Sequence, residues 1–328
     1  MDPLTINPAP AEATWDVLLA LADAVAQAGQ VPGYVVLRLQ DRASVCLDRW
    51  PQLLPEEQRV LVHLGGPIPE VPRSTAVVAP DRLFSLRVVR PGDLSDAQLD
   101  LVRLYLPYCL LPIEARRLQR AVAVSHFAQS LDGKIATLSG DSKWIGNDDN
   151  LLHAHRMRAL CPGILIGTRT LQNDKPSLTV RHVPGENPRR IVISSSARDF
   201  SSLFASCPEP VLVLGTAEEI RGENLEYERL TTLNGHIPCV EILRSLYRRG
   251  IYSVYIEGGA ETTSLFLQDR ALDVVQLHIS PQLFGSGISG IRLPQIERVQ
   301  EAVRFRAFAF HPMGDTYMFV GEPAPPDA

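Results

Sequence analysis

The chain has 328 residues, 45% of them apolar and 21% charged, with a net charge of −5 when the histidines are neutral. That length suits two domains, and that composition excludes a chain that is mostly disordered. No apolar run approaches the roughly 18–20 residues that cross a bilayer, the acidic N-terminus lacks the basic start of a secretory signal, and the negative charge argues against a nucleic-acid binder. The expectation is a cytoplasmic protein with neither a membrane nor a nucleic-acid partner.

In chain order, residues 11–28 read as an amphipathic helix with Trp15, Leu18, Leu19, Ala22 and Val25 on one side. Segments 33–40, 59–65, 74–80 and 83–89 read as strands, and 95–106 as a helix opened by an N-cap Ser95. The Pro- and charge-rich seam 107–120 marks a domain boundary, so residues 1–118 form a small α/β or α+β module. It contains His63, Cys46 and Cys109 but no H-x-E with P-C-x-x-C, and so lacks the zinc set of a nucleobase deaminase. The remaining cysteines, Cys161, Cys207 and Cys239, are widely spaced. All five read as buried inert thiols, with neither a disulfide framework nor a metal site expected.

From residue 119 to about 322 the texture changes. Strands are expected at 121–130, 163–167, 189–195, 210–216, 251–259 and 274–280. They alternate with helices at 148–161 (capped by Asn147), 237–250 and 260–270. Such alternation implies right-handed crossovers and a mostly parallel sheet with helices on both faces. Strands at 303–310 and 316–321 follow without long helices, so that edge is expected to be antiparallel, and the terminal 323–328 is a tail.

Lysine is scarce: Lys134, Lys143 and Lys175 are the only ones among 32 basic residues, and all lie within 134–175. Where Arg serves as the surface cation, Lys is kept for positions that need a compact ammonium. SLDGKIA (130–136) is either a plain Asp-Gly hairpin or a functional turn. GDSKWIGN (140–147) leads into the helix carrying Leu151, His155 and Arg158 on one face. His155 reads as a satisfied interior histidine, whereas a half-buried Arg158 demands an anionic partner. GTRTLQNDKPSLTVR (167–181) starts at a strand end, where open α/β sheets bind ligands. EGGAET (257–262) and FGSG (284–287) place glycines at two further strand ends, which suits the close approach of a pyrophosphate.

Taken in order, SLDGKIAT, GDSKWI, H-x-x-R-A, G-T-R-T-x-x-x-D-x-P-x-L-T-V-R, E-G-G-A-E-T and S-P-x-L-F-G-S-G resemble the reductase domain of riboflavin biosynthesis over about 120–321. That domain is the C-terminal half of the bifunctional pyrimidine deaminase/reductase and is dihydrofolate-reductase-like in fold. The resemblance implies NADPH-dependent reduction of a ribosylaminopyrimidine 5′-phosphate to the ribitylamino compound. By the same resemblance, Asp174 and Lys134 are catalytic, and Ser142, Trp144, Arg158 and Arg181 bind substrate. Gly167, Thr170, Glu257, Gly258, Gly259 and Gly285 line the cofactor, no metal is involved, and the domain forms a homodimer. Alternatives are a reductase of another pterin-like or pyrimidine compound, or a non-catalytic nucleotide-binding relative.

The chain departs from the family pattern at three places: Lys175 stands for a second Asp, Gly146 for Thr, and Ser194 for Asp. An ammonium beside Asp174 is expected to favour its ionised form.

Overall fold

The computed structural model describes residues 10–39, 44–47, 59–65, 71–197 and 199–325. The expected tail residues 326–328, Gln40 at the end of the first expected strand, and the side chain of Cys46 lie outside that description. The chain divides into two compact units, 1–114 and 115–328.

In the N-terminal unit, α1 (Pro10–Gln27) is followed by β1 (Tyr34–Arg38), β2 (Ser44–Leu47), β3 (Arg59–His63), β4 (Ala76–Arg82), β5 (Ser85–Arg90) and α2 (Asp96–Cys109). The sheet order is β2-β1-β3-β4-β5, with β3 and β4 parallel and the other pairs antiparallel. α1 buries Trp15, Leu18, Leu21 and Val25, so Leu21 takes the place expected for Leu19 and Ala22. Trp15 meets Tyr105 of α2 edge-on at 5.6 Å. Ser95 caps α2 with a reciprocal Ser95–Gln98 box. The 107–120 seam is largely helical. α2 runs through Pro107, and α3 (Leu111–Leu118) follows after one residue, with Leu110 N–H donating to Pro107 O at 3.1 Å.

The second unit continues with β6 (Val122–Ser130), β7 (Lys134–Ala136), α4 (Asp148–Leu160), β8 (Gly163–Gly167), α5 (Thr168–Asp174), β9 (Arg189–Ile193), α6 (Ser201–Phe204), β10 (Val211–Gly215) and β11 (Leu225–Arg229). It closes with α7 (Cys239–Arg248), β12 (Ser253–Ile256), α8 (Ala260–Gln268), β13 (Val274–Ser280), β14 (Ile288–Ser289), β15 (Phe305–Met313) and β16 (Thr316–Pro323). Nine strands form one sheet in the order β11-β10-β9-β8-β12-β6-β13-β16-β15. Every pair from β11 to β13 is parallel, and the last two are antiparallel, as the sequence pattern implied. β16 extends further than expected because Glu322 is buried and bound by Arg306 Nε at 2.8 Å. The polar edge strand β11 had no apolar signature; charge pairs such as Arg189–Glu226 at 2.7 Å hold it instead.

One sheet face packs Leu165, Leu212, Val254, Ile256 and Val275 against α7 and α8 in an apolar core. The opposite layer, beneath α4, is polar. His153 Nε2 lies 3.1 Å from Gln276 Oε1, and the His126 ring stacks on Tyr255 at 5.9 Å and meets His153 at 5.3 Å. The Thr316 hydroxyl donates to Met313 O at 2.6 Å and sits 2.6 Å from His278 Nε2. Burial holds these imidazoles neutral: His126 falls to about 3, His278 to about 4, and His153 well below its ordinary value. Cys109, Cys161, Cys207 and Cys239 are buried and free, and burial pushes the Cys161 thiol up to about 12.

A histidine neutral in the fold but ionisable when unfolded stabilises above its unfolded pKa, and that stability drains as pH falls. Here the loss begins near the ordinary histidine value of 6.5 and continues towards 4. Each such histidine contributes a slope approaching about 1.4 kcal/mol per pH unit. Urea midpoints of the full chain are therefore expected to drop steeply between pH 7 and 5, before the carboxylates titrate. A flat midpoint over that interval would contradict the neutral buried cluster.

Candidate active site

β9, β8, β12 and β6 are parallel neighbours, so their C-terminal ends open on one side of the sheet, where such folds bind ligands. A cavity of about 920 Å³ lies there, walled by Ala136 beyond β6, Gly167 and Thr170 beyond β8, Ile193 ending β9 and Gly259 beyond β12. Ser142 and Asp174 also line it.

The glycines are required by close approach. A Cβ on Gly167 would stand 2.6 Å from Thr262 Oγ1, and one on Gly258 would stand 2.6 Å from Thr262 Cβ. Gly259 N–H donates to Thr170 Oγ1 at 3.1 Å, which ties the mouth of β8 to the start of α8. The first turn of α8 has no side-chain cap, and Thr262 N–H turns back to Gly259 O at 3.1 Å. The lining also includes Arg169, Glu261, Asn173 and Arg292, which sequence reasoning missed. Arg169 and Glu261 pair at 2.5 Å. Arg169 lies inside the GTRT motif and was within reach of sequence reasoning, whereas Arg292 follows the glycine loop with no local signal.

Lys134, Trp144, Arg158, Arg181, Glu257, Gly258 and Gly285 are not on the cavity wall. Lys134 Nζ donates to Ser289 Oγ at 3.2 Å across the β7–β14 pair. Trp144 is 83% exposed with φ 66°. Gly285 N–H donates to Asp132 Oδ2 at 2.7 Å.

Arg158 has the anionic partner that its half-burial demanded, and the partner is inside the protein. Its Nε and Nη2 donate to Glu257 Oε1 and Oε2 at 2.6 and 2.7 Å, and Nη1 donates to Thr179 O at 3.0 Å. Burial alone would pull the guanidinium pKa down, but the Glu257 charge and its hydrogen bonds outweigh this and raise it. In the structure Arg158, expected as a substrate ligand, and Glu257, expected as a cofactor ligand, are each other's counter-ion. His155 is the satisfied interior histidine expected, accepting from Arg181 N–H at Nδ1 (3.0 Å). Leu151, expected to be core-like, is exposed; the buried side of α4 is His153, Ala154, His155, Met157 and Leu160.

Desolvation against the cavity wall raises the Asp174 pKa. The expectation that Lys175 would favour the ionised carboxylate is overturned. Lys175 caps α5 in the left-handed conformation, φ 45° and ψ 53°, and its charge acts on Asp199 instead. Gly146 is explained by its neighbour, because a Cβ there would lie 2.2 Å from Asn150 Nδ2. Ser194 Oγ accepts from Ala197 N–H at 2.9 Å, performing the turn-capping that an Asp can also perform.

An open, mostly parallel sheet with glycine-lined strand ends around one crevice defines an open-sheet α/β protein, the class whose ligands bind at the carboxyl ends of the strands. The family model of the RibD C-terminal domain matches residues 122–317, and the chain belongs to that family. RibD of Aquifex aeolicus is 31% identical over 202 residues, covering 60% of this chain and 56% of that protein, so the chain spans little more than half the length of that relative. The 2,5-diamino-6-ribosylamino-4(3H)-pyrimidinone 5′-phosphate reductase of the same organism is 31% identical over 169 residues, 48% of this chain and 75% of that one. Among solved structures, the diaminohydroxyphosphoribosylaminopyrimidine deaminase/5-amino-6-(5-phosphoribosylamino)uracil reductase of Thermotoga maritima superposes with a TM-score of 0.62 at 20% identity, over 96% of this chain and 99% of that one. The likeness of fold thus reaches through the N-terminal unit, where the sequence resemblance does not.

Removing one member of the Arg158–Glu257 pair leaves a buried charge without its partner. Glu257→Gln and Arg158→Met are each expected to cost about 3–5 kcal/mol. The double variant should cost clearly less than their sum. A coupling below about 0.5 kcal/mol in that cycle would contradict the pairing.

Proposed function

We propose that the chain is an NADPH-dependent reductase that converts a ribosylaminopyrimidine 5′-phosphate to the ribitylamino compound in riboflavin biosynthesis. The observation that carries this is the cavity at the strand ends, glycine-lined on one side and bearing on its wall a carboxyl, Asp174, whose partial burial raises its pKa. The names of the matched relatives supply the substrate class. No helix of the described residues is long and apolar enough to cross a membrane, and no group of three or more His, Cys, Asp or Glu residues among them could hold a metal.

The residues present fit a nicotinamide dinucleotide. A volume of about 920 Å³ is of ligand size, and a Cβ on Gly167 or Gly258 would crowd Thr262 beside it. Gly167, Thr170, Gly259 and the uncapped start of α8 would hold it. Bound there, NADPH would supply the hydride for C1′ of the opened sugar.

The chain's own groups supply position and a proton. Asp174, desolvated and without help from Lys175, holds its proton to higher pH than a solvated carboxyl, and it donates that proton to the sugar-linked nitrogen as the C1′=N bond is reduced. Lys134, oriented by Ser289, stands beside the wall formed by Ile135 and Ala136 and addresses the base or ribose. Arg181, exposed and steadied by Thr179 Oγ1 at 2.8 Å, offers the guanidinium for the phosphate, and Ser142 on the cavity wall and the exposed Trp144 are the further substrate residues of this reading. Arg158 supports that segment through Thr179 O instead of reaching the phosphate itself. The fold likeness to a deaminase/reductase extends over the N-terminal unit, whose sequence lacks H-x-E with P-C-x-x-C.

The closing edge also suits a homodimer. β15 is an edge strand with Phe308 and Phe310 61% and 56% exposed, packed on Phe319 as a continuous aromatic face. Such an edge is a pairing surface unless it is covered.

NADPH oxidation is expected with the deaminated or the undeaminated pyrimidine ribosylamine phosphate, and Asp174→Asn should lower kcat by at least ~100-fold. Activity should fall as pH rises past the raised Asp174 pKa, and Lys175→Ala should leave that limb in place; a limb that moves with Lys175 would reverse the account. Sedimentation at micromolar concentration should show a dimer that Phe308→Asp with Phe310→Asp dissociates, and a monomeric wild-type chain would remove the dimer.

A further inference from the structure

The turn between β6 and β7 carries a carboxylate that the expected site residues did not include. Asp132 lies off the cavity wall, yet each of its oxygens is committed. Oδ1 accepts from the Ser130 hydroxyl at 2.6 Å and from Phe284 N–H at 3.1 Å, and Oδ2 accepts from Gly285 N–H at 2.7 Å. Two of these donors belong to the glycine loop after β13, more than a hundred residues away in sequence. Around this point the two loops are stitched further. Leu131 N–H donates to Gln282 O at 2.8 Å and Gly290 N–H to Gly133 O at 3.0 Å, and β7 pairs with β14. Ser130 Oγ also accepts from Lys134 N–H at 2.9 Å, so the same cluster fixes where Lys134 begins.

The stitched pair has a functional face. Ile135 and Ala136 from one loop and Ile288 from the other form a wall of the cavity. Gly287 lies so close to that wall that a Cβ would come within 2.7 Å of Ala136 O. A displacement of the 284–288 loop is thus a displacement of the cavity wall. Two backbone N–H groups converging on one anion give a tight, directional fastening. Hydrogen bonding from Ser130 and Phe284 holds the carboxyl down at about 2, so the fastening is present throughout the working pH range.

We infer that Asp132 is a positioning residue. Its carboxylate clamps the 284–285 backbone to the β6–β7 turn and so sets the β7–β14 wall, and Lys134 with it, against the cofactor. This rests on the reductase reading of the cavity. An amide at 132 has a single acceptor oxygen, so Asp132→Asn must release at least one of the two backbone donors and turns an N–H towards it. Asp132→Ala releases all three.

The test uses the full chain and three readouts. Hydrogen exchange at Phe284 and Gly285 should quicken in both variants, while exchange in β8, β9 and β12 and the thermal midpoint stay near wild type. The Kd for NADPH, measured by its own fluorescence, should rise by roughly tenfold in Asp132→Asn and further in Asp132→Ala, while kcat at saturating cofactor falls much less; a purely structural role would not split the two in this way. Quickened exchange with an unchanged Kd overturns the positioning role, and unchanged exchange overturns the clamp. A wild-type chain that binds no NADPH overturns the reductase reading itself, whatever the exchange shows.

Discussion

A guanidinium and a carboxylate held largely out of water join α4 to the end of β12, and much of the site depends on that joint. Neither Arg158 nor Glu257 is stable alone in that position, since an unpaired charge there carries a desolvation penalty of several kcal/mol. Their bidentate contact therefore fixes three things together: the face α4 presents, the point where β12 stops, and, through Thr179 O, the segment carrying Arg181. Gly258 and Gly259 follow Glu257 directly, so the backbone that lines the cavity starts from a pinned residue. The polar layer of neutral histidines beneath α4 supports the same helix from the other end through His153 and Gln276. Charge and neutral hydrogen bonds act here together with buried apolar residues such as Val124, Ile164 and Met157.

The departures from the family pattern are resolved by local geometry. Gly146 makes room for Asn150, Ser194 closes a turn, and Lys175 adopts a left-handed conformation that directs its charge to Asp199. Each substitution stands next in sequence to a motif residue, but only the backbone conformation decides whether neighbours in sequence share an electrostatic environment. Asp174 is governed by desolvation, which leaves it better suited to carry a proton than an ionised carboxylate would be.

The parallel sheet, its helices and its antiparallel edge were legible because each buried strand is a continuous apolar run and each helix has a clear stop. β11 was not, since its Glu226 and Glu228 are stabilised by partners on β9 and α7. α5 was hidden because Gly167 gives it no side-chain cap, and β7 and β14 because they are too short to show a period and exist through Asp132 and each other. Within the site, the motif positions Ser142, Gly167, Thr170, Asp174 and Gly259 do converge on one cavity. Sequence could say that Arg158 needed an anion, but not that Glu257 meets the need. Pairings across a hundred residues, like those of Asp132 and Arg158, leave no local signal.

The central claim is that the glycine-lined crevice at the ends of β6, β8, β9 and β12 is the dinucleotide site. Hydrogen exchange of the full chain with and without saturating NADPH tests it most directly. The account predicts protection concentrated at 167–170 and 258–262, with the N-terminal unit unaffected. Protection confined to any other part of the chain, or none at all at saturation, would contradict it.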